Sequence, residues 1–409
     1  MAERVSPSWR RRLAWGFVDQ ALSSLTNLLA AVYAARFLTP IGFGAFGIGF
    51  ALYLMALGVS RGFTSEVVVL HSGSEEEMPF RTAARNASGA CLAIALVVTA
   101  LLSIFSVIGP ASLTSVTAML SLLMPGLLLQ DLWRYVLTMR GNTRSAAMND
   151  LVWFIGMVTA LAVLRPNTPS VVVLCWGGPT ILCAAVGIFQ AHCLPSIRNA
   201  YSWVSDNRGI GSKYTLEFLL TAANGAVLTL TSGWFLGLRD VGGLRGAMVL
   251  LGPLNFLYLG LALQAIPILI RRTKSAGSPA AFALAKVMSL ALMVVHGGWV
   301  MAVFLIPART GERLLGPSWA TAHDLVLWLG LYYFATAASA GALFVLRSRG
   351  DALGSLRIRS FAALLMWTGM LFGMMMFGAA GGVAGMALAS LSCVPLWWRK
   401  ASPSVVTAQ

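Results

Sequence analysis

The sequence predicts an all-α polytopic membrane protein with about twelve transmembrane helices, arranged as two six-helix bundles around a central cavity. The composition, the apolar blocks and the positions of the basic residues support this fold class. Hydrophobic residues make up 58% of the 409 residues and charged residues 11%, whereas a soluble domain is about one quarter charged. The mean hydropathy of +0.78 excludes a water-soluble enzyme and a disordered chain.

Twelve apolar blocks run along the chain, each near the ~20 residues that cross a bilayer as a helix. The first is too long for the apolar core of a cleavable signal, so we expect it to remain in the mature protein. The blocks are 13–37, 41–60, 88–109, 114–138, 148–164, 170–193, 214–236, 244–269, 283–306, 321–346, 360–378 and 380–397.

The basic residues predict the orientation. With the N-terminus inside, 22 of the 29 Lys and Arg residues fall in inner segments, six fall in outer segments and Arg134 lies within a span. Basic residues accumulate on the cytoplasmic side of membrane proteins. We therefore expect a multi-pass protein of the cell (inner or plasma) membrane with both termini cytoplasmic. The net charge of +15 reflects topology, and no nucleic-acid partner is expected.

The chain is expected to divide into an N-terminal bundle, 1–200, and a C-terminal bundle, 201–409. The connection 194–213 lies between them, and Pro195 and Gly209 mark it as irregular.

A weak internal repeat supports this division. Asp19 and Asn27 lie in the first span, and Glu217 and Asn224 lie at a similar spacing in the seventh. Two related bundles of this kind are common in secondary transporters.

Polar and ionisable side chains inside spans are costly and are functional candidates by default. The spans place them toward the cytoplasmic side. They can reach the interface by snorkelling, as Arg61 and Asp150 are placed to do, form a gate such as Asp131 with Arg134, or line a vestibule for substrate. The candidates for substrate binding or gating are Asp19, Gln20, Asn27, Arg61, Asp131, Arg134, Glu217 and Asn224.

Helix-breaking Gly and Pro residues within three spans predict bendable helices. They are Pro125–Gly126 in the fourth span, Gly177–Gly178–Pro179 in the sixth and Gly252–Pro253 in the eighth.

Several enzyme classes are not indicated. The chain has no Walker A loop for ATP hydrolysis and no outer acid-rich loop that would activate a sugar donor. The five Cys and four His residues are scattered, without metal-ligand spacing. We therefore expect no enzymatic activity, cofactor or metal.

Residues 15–72 contain Asp19-Gln20, Asn27, Ala35-Arg36-Phe37-Leu38-Thr39-Pro40 and Phe43-Gly44-Ala45-Phe46. This stretch resembles the start of polysaccharide exporters of the multidrug/oligosaccharidyl-lipid/polysaccharide superfamily, in the O-antigen or lipid-linked oligosaccharide flippase branch. The resemblance implies a flippase that moves a lipid-linked oligosaccharide or polysaccharide precursor from the cytoplasmic to the outer leaflet by alternating access. It also implies the bilayer and glycosyltransferases or a polymerase of the same pathway as partners.

Within such a flippase, Arg134 is expected to contact a substrate phosphate or a gate partner, and Gln20, Asn27 and Asn224 to bind sugar hydroxyls. Two alternatives stay open. An ion-coupled multidrug or small-molecule antiporter of the same superfamily would use Asp19 or Glu217 as its coupling acid. A non-transporting membrane component of a polysaccharide assembly complex would tolerate the loss of all these charges.

Overall fold

The computed structural model describes residues 7–71 and 77–403, and every regular element within them is helical. The chain forms two compact units. The first comprises the described residues up to Leu38 together with Ala45–Ala226, and the second comprises Thr39–Gly44 and the described residues from Val227 onward. These findings confirm the predicted fold class, an all-α polytopic membrane protein of two helical bundles. The structure keeps residues 201–226 with the first unit, later than the boundary expected at 200.

Ten helices lie wholly or mostly in the first unit. They are α1 Pro7–Phe37, α2 Pro40–Phe63, α3 Ser65–His71, α4 Glu77–Ile108, α5 Ala111–Met139, α6 Thr143–Leu164, α7 Pro169–Gly177, α8 Pro179–Ala191, α9 Ala200–Asp206 and α10 Arg208–Thr221. Helix α11, Asn224–Phe235, lies across the boundary. The second unit continues with α12 Leu238–Phe304, α13 Ala308–Leu315, α14 Trp319–Ser348, α15 Ala352–Ser392 and α16 Val394–Ala401.

Within the described residues, eight helical segments are long and apolar enough to cross a membrane, or nine if the α10–α11 pair is one span. Two single helices, α12 and α15, are too long for one crossing. Helix α12 has 67 residues, and at 1.5 Å per residue it would be about 100 Å long if straight, against a hydrocarbon core of about 30 Å.

Both long helices fold back on themselves. Helix α12 leaves helical geometry at Gly277, where φ is 81° and ψ is 168°, and Trp299 Nε1 donates to Leu250 O across the fold. Helix α15 breaks at Phe377 and Gly378. Each therefore supplies two spans. The eight segments, the two additional spans from these breaks, the bent α10–α11 pair and α1, which is not one of the eight, together correspond to the twelve predicted blocks.

The seventh predicted span, 214–236, is not one straight helix. It is divided into α10 and α11, which meet at an angle of 66°. Asn224 Nδ2 donates to Thr221 O at the bend, and the N–H groups of Ala222 and Ala223 both donate to Phe218 O. Side chains and shifted backbone hydrogen bonds thus satisfy polar groups that a straight helix would pair internally.

Of the three predicted helix breaks, one interrupts a helix: α7 ends at Gly177 and α8 begins at Pro179. Pro125 lies inside α5, and Pro253 lies inside α12. A proline alone therefore does not mark the breaks in this chain.

Helix α2 contributes to both units, because its first residues, 40–44, belong to the second. This part packs closely against the start of α12. A Cβ on Gly44 would collide with the carbonyl of Leu238, and a Cβ on Gly242 would collide with the carbonyl of Pro40. Small residues allow helix backbones to approach in this way in membrane proteins.

Helix α5 lies at the centre of the first unit, and most of its residues from Leu120 to Leu137 are buried. Trp133 is fully buried and its Nε1 donates to Ala184 O of α8 at 3.1 Å. Because consecutive residues are buried, α5 is surrounded by neighbouring helices on most of its sides. This placement brings the polar side chains of α5 into the interior of the unit.

A candidate functional site: the Arg134 cluster

Arg134 of α5 is surrounded by three carboxylates. Its Nη2 lies 2.8 Å from Asp19 Oδ2 of α1, its Nε 3.2 Å from Asp150 Oδ2 of α6, and its Nη1 3.7 Å from Asp131 Oδ1 on its own helix. The Arg134 side chain is 12% exposed and that of Asp150 is 0% exposed. This guanidinium is thus shielded and paired within its own unit.

A second arginine extends the cluster. Arg61 of α2 binds Asp131 in a fork, with Nε 2.8 Å from Oδ2 and Nη2 2.6 Å from Oδ1. The Arg61 side chain is 35% exposed, whereas that of Asp131 is 4% exposed. We call Asp19, Arg61, Asp131, Arg134 and Asp150 the Arg134 cluster. Arg61 is its most exposed member.

Neutral side chains complete the hydrogen bonding. Gln130 Nε2 donates to Asp150 Oδ1 at 2.6 Å, and Arg134 Nη1 donates to Ser23 Oγ at 3.3 Å. Gln130, Asp131 and Arg134 all lie on α5, where residues three or four apart share a face. Four helices, α1, α2, α5 and α6, therefore meet through polar contacts at this point.

The Arg134 cluster contains three carboxylates and two guanidinium groups. If all five are ionised, the cluster has one excess negative charge. Charges inside a membrane protein are tolerated when they are paired or reach water. Because Arg134 already has three anionic neighbours, it is poorly placed to bind a substrate phosphate. Asp131 lies between Arg61 and Arg134, so its carboxylate can pair with either arginine.

Asn27 lies among aromatic side chains of the first unit. Its Oδ1 accepts from Trp176 Nε1 at 3.0 Å, and the carbonyl of Trp176 accepts from Trp153 Nε1 at 2.6 Å. The Trp176 ring packs against Tyr53 and Phe50 at centroid distances of 5.1 and 5.5 Å. Asn27 thus orients a buried indole. Gln20 is exposed on α1, and its Nε2 contacts Ser24 Oγ at 3.4 Å.

Glu217 and Asn224 lie on α10 and α11, and the neighbours of Glu217 on α10 pack against α2 on both sides of Arg61, Phe218 at Gly58 and Thr215 at Gly62. Glu217 is on α10, within electrostatic range of Glu66 of α3, and its carbonyl accepts from Thr221 Oγ1. Asn224 is the donor at the α10–α11 bend. Both residues belong to the first unit. The structure therefore does not place Glu217 as the counterpart of Asp19 in the second bundle.

Two features of the charged residues were not anticipated from the sequence. Asp150 was open to interpretation as a snorkelling residue, yet it is fully buried on α6 and bonded to α5. Arg245 is one of the six basic residues that the sequence places in outer segments, but it lies within α12. For Asp150, the adjacent polar pairs Asn149-Asp150 and Gln130-Asp131 were a usable signal. Each pair lies on one of two consecutive apolar blocks.

In residues 7–71 and 77–403, no group of three or more His, Cys, Asp or Glu side chains is arranged to hold a metal ion.

Comparison with known proteins identifies the fold. No protein-family model and no curated protein sequence matches the chain. Solved structures do. An inward-facing multidrug resistance MATE family transporter of the MOP superfamily has a TM-score of 0.70 at 13% identity, over 94% of this chain and 97% of that one. The chain has the fold of MOP superfamily transporters.

Two further structures share this fold. The lipid II flippase MurJ in an inward closed conformation has a TM-score of 0.66 at 10% identity, over 94% of this chain and 86% of the flippase. A MOP superfamily transporter from Pyrococcus furiosus, described as having a binding pocket of reversed polarity, has a TM-score of 0.54 at 14% identity, over 97% of this chain and 96% of that one. All three of these structures are of transporters.

Proposed function

We propose that this chain is a membrane transporter that moves a lipid-linked oligosaccharide or polysaccharide precursor from the cytoplasmic to the outer leaflet by alternating access. We place it in the cell membrane with both termini cytoplasmic. The fold shared with MATE transporters and with a lipid II flippase supports a transporter, and the resemblance of residues 15–72 favours a lipid-linked saccharide as cargo.

The observation that carries the proposal is the Arg134 cluster. Five ionisable side chains on four membrane helices are costly to keep, and such residues usually serve transport. Arg61 is the partly exposed cation of the cluster, so it is the group that can meet an anionic headgroup. Asp131 Oδ1 lies 2.6 Å from Arg61 Nη2 and 3.7 Å from Arg134 Nη1. A phosphate that attracts Arg61 would leave Asp131 to pair more closely with Arg134.

In this mechanism the substrate phosphate binds Arg61, and Asp131 then pairs with Arg134. The new pair changes the contacts that Arg134 makes with α1 and α6. Arg134 acts as the gate partner and does not touch the phosphate. The sugar passes through a polar path while the lipid tail stays in the bilayer.

A cation-coupled antiporter is the second candidate, and the excess carboxylate of the Arg134 cluster favours it. One bound proton would make the cluster neutral, and its release would restore the excess charge. The same ion-pair exchange would then be driven by protons.

The test uses the full chain reconstituted in vesicles with a fluorescent polyprenyl-diphosphate saccharide in the inner leaflet. Flipping exposes the label to a membrane-impermeant quencher. We expect wild-type flipping without an imposed pH gradient, loss of flipping in Arg61→Gln, and unchanged flipping in Arg198→Gln, which removes an exposed arginine outside the cluster.

An inactive wild type in this assay that extrudes organic cations only under a proton gradient would replace the flippase with the antiporter. Full flipping in Arg61→Gln would remove Arg61 from the mechanism.

A further inference from the structure

A groove opens on the second unit between α15 and α16. It is shallow and open to its surroundings, with a volume of about 560 Å³. Its lining residues are Arg357, Ile358, Phe361, Leu396, Arg399 and Lys400. The surface of the groove is apolar, and three of the six residues that border it are basic.

Helix α16 is held in place by its two tryptophans. Trp397 is buried, and Trp398 Nε1 donates to Ala338 O of α14 at 2.9 Å. With one face of α16 fixed against the unit, Leu396 and Arg399 line the groove. On α15, Arg357 and Phe361 are one turn apart and are both exposed. The wall and the cations are thus built on helices that are anchored elsewhere.

The charges of the groove are only partly compensated. Lys400 Nζ lies 3.6 Å from Asp351 Oδ2, and the other oxygen of Asp351 accepts from Gly354 N at the start of α15. Asp351 therefore compensates Lys400, and it also lies within electrostatic range of Arg349, which does not border the groove. The groove is therefore a place of positive potential at the ends of two membrane helices, on the side that the basic residues predict to be cytoplasmic.

We propose that this groove binds one phospholipid with an anionic headgroup. Arg357, Arg399 and Lys400 would hold the headgroup phosphate, while Phe361 and Leu396, which are 52% and 41% exposed, would contact the first part of the acyl chains. A soluble anion would leave the apolar wall uncovered, and a neutral lipid would leave the basic side chains without an anionic partner. Charge complementarity and the exposed apolar side chains together indicate the anionic lipid.

A lipid bound here contacts both α15 and α16. It would stabilise the packing of the last two spans of the described chain, independently of the cargo that the transporter carries. Anionic lipids in the cytoplasmic leaflet attract each nearby Lys or Arg by about 1 kcal/mol, which corresponds to about a fivefold change in affinity per cation.

Native mass spectrometry of the full chain in detergent tests this proposal. The probes are phosphatidylglycerol, phosphatidylcholine and sn-glycerol 3-phosphate, which separate an anionic lipid from a zwitterionic lipid and from a free phosphate. The variant carries Arg357→Gln, Arg399→Gln and Lys400→Gln. The matched control carries Arg271→Gln, Arg272→Gln and Lys274→Gln, three basic positions of α12 outside the groove.

We expect one tightly bound phosphatidylglycerol on the wild type and on the control, and affinity weakened by about fivefold per removed cation in the groove variant. Phosphatidylglycerol should also raise the apparent melting temperature of the wild type but not of the groove variant. Because the triple change can affect folding, Arg399→Gln alone is measured as well and should lose part of the binding.

Equal phosphatidylglycerol binding by the groove variant and the control would overturn the proposal. Equal binding of phosphatidylcholine by the wild type would reduce the groove to an apolar lipid contact, and equal binding of glycerol 3-phosphate would make it a soluble anion site. Either result would also reject an anionic-lipid site.

Discussion

The carboxylate of Asp131 is held by both donors of the Arg61 fork, at 2.8 and 2.6 Å. Substituting Asp131 and substituting Arg61 have different effects on the charge balance of the Arg134 cluster. Without Asp131, the remaining charges of the Arg134 cluster balance, and Arg61 can turn toward water because it is already partly exposed. Without Arg61, three carboxylates share a single arginine.

We therefore predict that Arg61→Ala destabilises the protein more than Asp131→Ala does. Leaving a buried charge without its partner costs about 3–5 kcal/mol, and this cost applies to the arginine deletion. The apparent melting temperature in detergent measures the order, and Arg61→Ala with Asp131→Ala should be more stable than Arg61→Ala alone. The reverse order would show that the pair is not the main interaction of either residue.

Arg134 should be required for a stable fold as well as for transport. Arg134→Ala leaves Asp19 and Asp150 without the cation that they share. We expect poor yield of Arg134→Ala and partial recovery when Asp150→Asn is added, because the amide removes one charge and keeps the shape. Arg134→Lys should be intermediate, since ammonium lacks the forked geometry.

Yield and size-exclusion profiles of the purified variants provide the measurement. Arg198→Gln serves again as the control. No recovery on adding Asp150→Asn would indicate that Arg134 matters for packing and not for charge.

Asn27 should stabilise the aromatic interior of the first unit. Trp176 is 1% exposed and donates its indole N–H to Asn27 Oδ1. Asn27→Ala leaves this buried donor without its acceptor, at a cost of about 1–3 kcal/mol, whereas Asn27→Asp keeps an acceptor. The melting temperature should fall in the alanine variant even when no substrate is present. An alanine variant of normal stability that had lost substrate affinity would restore the sugar-binding role.

The α10–α11 bend should depend on the Asn224 side chain. Its Nδ2 donates to Thr221 O, and a carbonyl at a bend in a membrane helix needs such a donor. We predict that Asn224→Ala lowers stability by about 1 kcal/mol. Thr273→Val is the matched control, because its hydroxyl donates to Leu269 O within a continuous helix. Similar losses in the two variants would mean that the bend is maintained by packing.

The two folded-back helices predict a topology. The break at Gly277 should be reached from the cytoplasm and the break at Gly378 from outside, since each lies where one span turns into the next. Single cysteines that replace Ser278 and Ala379, the residues directly after these breaks, should react with impermeant thiol reagents from opposite sides of the membrane. Labelling of both from one side would contradict the span order.

The sequence was sufficient for the fold class and for most of the Arg134 cluster. Asp19, Arg61, Asp131 and Arg134 stood out because charges in apolar blocks are rare. Asp150 was harder to interpret because its apolar block starts at 148, whereas α6 starts at Thr143. The polar first turns of α6 pack against α5. Hydropathy therefore placed the start of the helix near Asp150, whereas α6 begins about two turns earlier. Hydropathy alone cannot show this tertiary contact.

The bend near Asn224 was missed for a different reason. Residues 214–236 contain no proline, and their hydropathy is continuous. The bend is stabilised by side-chain hydrogen bonds to backbone carbonyls, which become visible only when the helix path is known. The exposed Gln20, by contrast, was selected only because it is next to Asp19.

Helix α2 is encoded in the first part of the chain, yet residues 39–44 complete the second unit through the close contacts of Gly44 with Leu238 and of Gly242 with Pro40. A gene cut between codons 226 and 227 would therefore yield two polypeptides of which the latter lacks a piece of its own interior. Expressed by itself, that fragment should be degraded, and co-production of the other fragment should rescue it.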